Sequence, residues 1–206
     1  MKRITMLALA IMMACVCFAQ EQKSISETVK EVIMNRRSIR KYKAVPVGRD
    51  TLEQILEAGI NAPNGMNKQS WEIRVVDNPV VLEGIKDAMA EANPDKKMAR
   101  ECFRGAPVVV FIANDTGYDC SPIDCGLLAG NMILSAWSMG VGSVCLGSPV
   151  RFIASPDNPD CSSIIEVQKK LGFSEGYKMI ICIGFGYADE SPKAKPRDKS
   201  KYKFID

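Results

Sequence analysis

The chain has 206 residues and a formal net charge of +3; 47% of its residues are hydrophobic and 25% are charged. This length supports one domain with a substantial core, and the composition excludes disordered, collagen-like and repeat-built chains. The near-neutral charge argues against a nucleic-acid-binding protein, and the absence of histidine excludes Ser-His-Asp triads, Cys-His dyads and the usual metal sites.

The N-terminal residues have the layout of a secretory signal peptide. Lys2-Arg3 precedes an uncharged apolar run from Ile4 to Ala19, which is short for a membrane span of ~20 residues. We expect cleavage after Ala19, which leaves residues 20–206 as one exported, periplasmic or otherwise extracytoplasmic domain. Two alternatives stay open: an N-terminal anchor that is retained, and a lipid anchor on Cys15.

The first half of the chain alternates between helical patterns and one strand pattern. Ser24 and Glu27 fit a capping box at the start of a helix, and Asp50 is expected to cap the next helix. The elements predicted here are helices over 24–35 and from Asp50 to Ile60, a turn at 63–65, a strand over 71–76 and a helix from Pro79 towards Ala92.

The second half contains the longest apolar runs. The segment Ile123 to Met139 is apolar almost all round, which predicts a central buried helix. The other elements predicted are strands over 108–113, 141–146 and 178–185 and a short helix over 163–171 that ends at Gly172. These elements predict one α+β domain, in which helices pack around a small sheet.

The last 21 residues, from Gly186 onward, are polar and have no helical period. The alternation in Tyr202-Lys203-Phe204-Ile205 fits a terminal strand that pairs with its own sheet or with the edge of a partner subunit. A frayed tail is the alternative.

Six cysteines follow the predicted cleavage point, and none of them has the C-x-x-C spacing of a redox dithiol or zinc knuckle. Cys145 and Cys182 lie in apolar runs and are expected to be buried, inert thiols. Cys120 and Cys161 lie in loop-like stretches, where a disulfide between them is one alternative.

Three polar clusters are candidates for ligand binding. Arg36-Arg37-Ser38-Ile39-Arg40 offers three guanidinium groups and a hydroxyl, which suit an anion such as phosphate. The stretch from Pro63 to Gln69 offers amide side chains and backbone N–H groups, which suit a ring edge or a polyol. The third cluster is basic and proline-rich, and it covers residues 192–197. Taken singly, each cluster is also compatible with a solvated helix end or loop.

Taken together and in order, these clusters resemble the nitroreductase family. Arg36 to Arg40 resembles the opening signature of that family, and Ala62 to Trp71 resembles its A-P-S-x-x-N-x-Q-P-W element. The stretches 124–143 and 184–197 are similar to its central helix with the following strand, and to its last strand with the phosphate-binding tail. The resemblance extends from about Ile33 to Ile205.

The resemblance implies a nitroreductase-like α+β fold with a small, mostly antiparallel sheet, and an intertwined homodimer that binds FMN at two interface sites. It assigns FMN contacts to residues of all three clusters and to the end of the third strand, namely Arg36, Arg37, Ser38, Arg40, Pro63, Asn64, Gly65, Asn67, Gln69, Leu146, Gly147, Lys195 and Arg197. Arg36, Ser38, Lys195 and Arg197 would hold the phosphate and ribityl chain, and Arg40 would lie near the pyrimidine edge. No catalytic proton donor and no metal ligand is singled out.

The implied activity is that of an FMN-dependent oxidoreductase, which passes electrons from a small-molecule donor to a nitroaromatic, quinone or similar acceptor. The resemblance implies NAD(P)H or another exported reductant as the electron donor. Because NAD(P)H is scarce outside the cytoplasm, we expect another exported donor, or oxidation of the substrate itself, to supply the electrons. Ser70 replaces the family's usual proline, and Asn64-Gly65 replaces its usual small residues, which puts the fine geometry of that loop in doubt. The alternatives are an exported, non-catalytic flavin-binding protein and an extracytoplasmic or lipid-anchored protein without flavin.

Overall fold

A computed structural model describes residues 24–205 and divides the chain into two compact units, the first ending at Asn35 and the second beginning at Arg36. The proposed signal peptide lies outside the described residues. Helix α1, Ile25–Asn35, belongs to the first unit. Its capping box is confirmed, since the Ser24 amide donates to Glu27 Oε2 at 3.0 Å and the Glu27 amide donates to Ser24 Oγ at 3.2 Å.

The second unit contains six of the seven described α-helices and all four described strands. Its helices are α2 (Arg49–Ile60), α3 (Pro79–Glu91), α4 (Lys96–Glu101), α5 (Ser121–Ser138), α6 (Ser148–Ala154) and α7 (Ser162–Leu171). Its strands are β1 (Trp71–Val76), β2 (Val108–Asp115), β3 (Gly142–Leu146) and β4 (Tyr177–Gly186).

The strands form one antiparallel sheet in the order β1-β2-β4-β3. Side chains alternate along β2, so that Val108, Val110 and Ile112 face one core and Val109 and Phe111 face the other. Helices α2 and α5 cover the first face of the sheet, and α3, α4, α6 and α7 cover the second. The predicted α+β fold is confirmed.

Several local predictions are wrong. Asp50 does not cap α2, which begins one residue earlier with Gly48 at the N-cap. Helix α5 is not buried all round, since Ile123 is 65% and Leu127 42% exposed. The short helices α4 and α6 were not predicted, because neither is long enough to establish a helical period.

The end of the chain forms no strand within the described residues. A single 3₁₀ turn spans Lys199–Lys201, and the apolar side chains of Tyr202, Phe204 and Ile205 are all exposed. Pairing of this segment with its own sheet is therefore wrong, whereas pairing with a partner subunit stays a prediction. Within residues 24–205, no helix has both the length and the apolar character needed to cross a bilayer.

Candidate functional site

The second unit begins with an extended arm, residues 36–43, that lies along the β3 edge of the sheet. Ser38 pairs in parallel with Ser143 of β3, and the Ile39 amide donates to the Ser143 carbonyl at 2.9 Å. Ile39 is 1% exposed, and burial of such a side chain contributes about 1.5–3 kcal/mol. A Cβ at Gly142 would lie 2.8 Å from the Ile39 side chain, so glycine permits this close approach. The arm is therefore anchored by its one apolar residue between the arginines.

The segment that follows β4 is tied to the same arm. Tyr42 pairs antiparallel with Ala188, and the Asp189 amide donates to the Lys41 carbonyl at 2.9 Å. The backbone amide of Arg40 donates to the Glu190 carboxylate. Two distant stretches of sequence are thus brought side by side, just before the basic, proline-rich cluster.

The arm and the tail enclose a cationic cavity of about 150 Å³. Six of its eight lining residues are basic; the full set is Arg36, Arg37, Ser38, Arg40, Pro192, Lys193, Lys195 and Arg197. The structure therefore brings together every predicted phosphate ligand from both ends of the chain. The volume is below the ~300–1,000 Å³ of a pocket for a whole small molecule, so the cavity suits the anionic end group of a larger ligand.

Strand β3 leads away from this cavity towards the other predicted residues of the site. Leu146 ends the strand and is buried, and Gly147 is the N-cap of α6. Cys145, predicted to be buried, is instead exposed, although the other four residues of β3 are buried. Partial burial raises the pKa of its thiol, and the charge of Arg36 opposes that shift, which places Arg36 near this strand. The prediction for Cys182 is confirmed, since that thiol is fully buried.

Residues 62–70, the amide loop, connect α2 to β1 and contain the second predicted cluster. Three non-glycine residues of the loop have left-handed backbone angles: Met66 at φ 53°, Asn67 at φ 52° and Gln69 at φ 49°. Such conformations cost about 1–3 kcal/mol each and concentrate at functional sites. Asn67 and Gln69 are exposed, and their side chains have no hydrogen-bond partner within residues 24–205, so their amide groups are available to a ligand.

A buried carboxylate holds the amide loop in this conformation. Asp124 of α5 is 3% exposed and accepts hydrogen bonds from the Gly65 amide at 3.1 Å and from Ser70 Oγ at 3.2 Å. The backbone N–H of Gln69 also donates to Asn64 Oδ1 at 2.9 Å. Ser70, which departs from the family's proline, therefore supplies a hydrogen bond of its own to the loop.

Tyr118 borders the same loop. The ring lies 4.1 Å from Lys68 Nζ, in cation–π geometry. Burial and a hydrogen bond to Cys120 raise the pKa of Tyr118. Cys120 and Cys161 are both free thiols, so the alternative of a disulfide between them is not realised.

The cationic cavity and the amide loop lie at diagonally opposite corners of the sheet. Trp71, at the end of the loop, is level with Lys178 at the start of β4, whereas Ser38 is level with Phe185 near its end. Four strand spacings across the sheet and seven residues along it give a separation of about 30 Å between these anchor points. The two sets of residues are therefore well separated within one chain.

Two residues of the site were not predicted from the sequence: Asp124, which holds the amide loop, and Lys193, which lines the cationic cavity. Asp124 belongs to the stretch 124–143 that resembles the family, and a carboxylate near the start of an otherwise apolar run is a candidate partner for a polar loop. Lys193 lies within the predicted basic cluster, residues 192–197, but has no predicted contact with FMN. Since it alternates with Lys195 and Arg197, an extended tail would have placed it in the same cavity.

The sequence profile of the nitroreductase family matches residues 33–187. An NADPH-flavin oxidoreductase of Vibrio harveyi is 28% identical over 183 residues, which are 81% of this chain and 68% of that protein. A relative from Methanothermobacter thermautotrophicus is 32% identical over 123 residues, 58% of this chain and 60% of its own length. The chain covers only 40% of a further curated relative, an enone reductase of Lactiplantibacillus plantarum.

Solved structures give broader coverage. A nitroreductase with bound FMN from Desulfitobacterium hafniense is 28% identical and superposes with a TM-score of 0.74, covering 87% of this chain and 98% of its own. An FMN-bound nitroreductase from Bacteroides fragilis is 29% identical, with a TM-score of 0.72 and coverage of 86% and 98%.

Proposed function

Because the chain belongs to the nitroreductase family, we propose that it is an FMN-dependent oxidoreductase that passes electrons to a small organic acceptor such as a nitroaromatic or a quinone. The observation that carries the proposal is the cationic cavity, in which Arg36 and Ser38 from one end of the chain meet Lys195 and Arg197 from the other. The two solved structures described above both contain FMN.

The cavity has the chemistry of a phosphate site. A phosphomonoester carries close to two negative charges near neutral pH, and each charge-assisted hydrogen bond to it contributes roughly 1.5–3 kcal/mol. Arg36, Ser38, Lys195 and Arg197 would hold the FMN phosphate and ribityl chain. Arg40 lines the same cavity, whereas the resemblance assigns it to the pyrimidine edge, where a positive charge would favour reduced, anionic flavin. The backbone around Leu146 and Gly147, further along β3, would line the ring.

We propose that the enzyme works as a homodimer, because the amide loop is too far from the cavity of its own chain to complete the site. A second copy would bring its Asn67 and Gln69 to the flavin held by the first. Two exposed apolar features fit such an assembly. One is the outer face of α5, with Ile123 and Leu127, and the other is the terminal segment with Tyr202 and Phe204. The outer edge of β1 has no strand partner within the described residues and could accept that segment.

The bound flavin would supply the redox chemistry by taking two electrons from a donor and passing them to an acceptor. The protein's own residues bind the phosphate, position the ring and set its electrostatic surroundings. None of these tasks requires a histidine or a protein nucleophile, which agrees with the absence of histidine from the chain.

We further propose that residues 1–19 are a signal peptide and that residues 20–206 form the exported domain. Export would separate the enzyme from the cytoplasmic NAD(P)H pool, so the physiological donor would be another exported reductant. N-terminal sequencing of the protein from fractionated cells tests this. A mature chain that starts at Gln20 outside the cytoplasm supports the proposal, and a full-length cytoplasmic chain contradicts it.

The decisive experiment for the function is an absorbance spectrum of the purified protein after FMN reconstitution, followed by anaerobic titration with NADH and NADPH and by turnover with a quinone. We expect a yellow dimer with one FMN per subunit, multiple turnovers, and loss of FMN in the double variant Arg36→Ala/Arg197→Ala. A colourless protein would contradict flavin binding. A yellow protein without turnover would support the non-catalytic flavin-binding alternative.

A further inference from the structure

The tail, which follows β4 and covers residues 187–205, meets the arm first through backbone hydrogen bonds. The Lys43 amide donates to the Tyr187 carbonyl at 2.9 Å. Two residues further along the tail, the Asp189 amide donates to the Lys41 carbonyl, also at 2.9 Å. These bonds fix the course of the tail only up to residue 189, before the first tail residue that lines the cationic cavity.

Glu190 makes the next contact with the arm, and it does so with its side chain. Its carboxylate accepts a hydrogen bond from the backbone N–H of Arg40. Among the described residues 191–205, none has a hydrogen bond or an ion pair with an earlier described residue. Glu190 is therefore the last hydrogen-bonded attachment of the tail before the stretch 192–197, which lines the cavity.

This attachment opposes an electrostatic repulsion between the arm and the tail. Three cations of the arm and three of the tail line the cationic cavity, which has a volume of about 150 Å³. Like charges held at such short distances repel one another, and the repulsion falls when an anion binds between them. Without an attachment, the six charges would favour a tail that lies away from the arm.

Tyr42 anchors the part of the arm to which Glu190 is attached. A Cβ at Gly186 would lie 2.7 Å from Tyr42 Cδ1, so the tyrosine ring packs directly on the end of β4. The Tyr42 hydroxyl donates to the Ile39 carbonyl at 2.6 Å. Burial, followed by the charge of Glu190, raises the pKa of Tyr42, which places the carboxylate close to this ring. Glu190 thus connects the tail to a part of the arm that is itself fixed to the sheet.

We infer that Glu190 is a positioning residue of the cofactor site, whose carboxylate holds the tail against the arm in the arrangement that binds the flavin phosphate. The inference rests on the proposed function, because the cavity is the one assigned to that phosphate. Glu190 does not line the cavity and acts through Arg40 and the tail. The apparent affinity for a ligand falls in proportion to the fraction of protein in the binding-competent arrangement. Loss of the attachment therefore weakens FMN binding although every phosphate ligand is still present.

The positioning role and the charge of the carboxylate predict opposite effects of removing Glu190. A negative charge beside a phosphate site lowers the affinity of that site for phosphate, so removal of the charge alone should strengthen FMN binding. Removal of the attachment should instead weaken FMN binding. The sign of the change in the Kd for FMN therefore separates the two effects.

The test compares three variants of the purified protein with the wild type. Glu190→Ala removes the acceptor of the Arg40 N–H, whereas Glu190→Gln removes the charge and keeps an acceptor oxygen. Asp189→Ala is the matched control, because it removes the same charge from the neighbouring, exposed residue and leaves the backbone hydrogen bond to Lys41 in place. Fluorescence titration measures the Kd for FMN, and circular dichroism melts without FMN measure the stability of each protein.

We expect Glu190→Ala to raise the Kd for FMN by about tenfold, the effect of losing one charge-assisted hydrogen bond from the binding-competent arrangement. Glu190→Gln should stay within about threefold of the wild type, and Asp189→Ala should bind FMN at least as tightly as the wild type. The Tm values without FMN should agree within about 4 °C.

Four results would overturn the inference: an unchanged or lower Kd in Glu190→Ala, an equal loss of affinity in Glu190→Gln, an equal loss in Asp189→Ala, or a larger fall in the Tm of Glu190→Ala, which would indicate general destabilisation. In each case the wild type still binds FMN, so the proposed function stands. A wild-type protein that takes up no FMN would instead contradict the proposed function. The two failures are therefore distinguishable.

Discussion

Removing the Asp124 carboxylate should release the amide loop. The carboxylate is 3% exposed and accepts from two donors, the Gly65 amide at 3.1 Å and Ser70 Oγ at 3.2 Å. In Asp124→Ala both donors lose their partner, and Ser70 is itself only 3% exposed. The left-handed backbone angles of Met66, Asn67 and Gln69 are unfavourable, and the two hydrogen bonds to Asp124 offset that free-energy cost.

The magnitude follows from the two hydrogen bonds. Each hydrogen bond to a charged group contributes about 1.5–3 kcal/mol. The alanine variant no longer carries the free-energy cost of burying the carboxylate, which offsets part of this loss. A net loss of about 3 kcal/mol is expected, which lowers the Tm of a domain of this size by about 6–12 °C. FMN affinity should fall as well, because an unrestrained loop no longer presents Asn67 and Gln69 in a fixed orientation.

Circular dichroism melts and FMN fluorescence titrations measure the two effects. Asp124→Asn keeps one acceptor oxygen, so it should lose less than half as much stability as Asp124→Ala. Asp119→Ala, which removes an exposed carboxylate from the neighbouring loop, is the control and should melt like the wild type. The reasoning is refuted if Asp124→Ala melts within about 2 °C of the wild type, or if the Asn variant is as damaging as the Ala variant.

Three further predictions concern the cavity, the loop and the core. Arg197→Ala should weaken FMN binding by about tenfold, measured by fluorescence titration, since it removes one charge-assisted contact; an equal loss in Arg104→Ala, which lies outside the cavity, would contradict this assignment. Gly65→Ala places a Cβ 2.0 Å from the Tyr118 hydroxyl oxygen, so it should lower the Tm by about 2–4 °C. Adding Tyr118→Phe to the same chain should restore the Tm, and an unchanged Tm would show that this contact is not the cause. Burial raises the pKa of the Cys102 thiol from 9.0 to about 12. The thiol therefore ionises first in the unfolded chain, and the free energy of unfolding falls as pH rises from about 9 to 12. Between pH 8 and 10, urea unfolding of the wild type should show a fall in this free energy that is about 1.4 kcal/mol larger than in Cys102→Ala, and equal falls would refute the linkage.

The local chemistry of several elements was readable from the sequence. The capping box at Ser24, the proline at the start of α3 and the glycine after α7 each act within a few residues of chain, and all three mark helix ends in the structure. The apolar run of β2 required burial on both faces in any compact arrangement. The chemical character of the basic clusters was equally plain, because charge and donor geometry belong to the side chains themselves.

Positions that depend on distant partners were not readable. An apolar run such as the one around Cys145 does not show which of its side chains the tertiary packing leaves uncovered, and Cys145 is exposed while the rest of β3 is buried. Likewise, the sequence of α5 does not distinguish a helix buried all round from one with a free face.

The sequence by itself determined which residues can bind an anion and which can hydrogen-bond a ring edge, since those capacities are intrinsic to arginine, lysine and amide groups. Only the tertiary structure decided that the arm and the tail share one cavity and that the amide loop lies at the opposite corner of the sheet. The physical reason is that strand-like pairing connects residues separated by about 150 positions, as in Tyr42 and Ala188. Such contacts form only when the whole core is packed, so no local stretch of the sequence determines them.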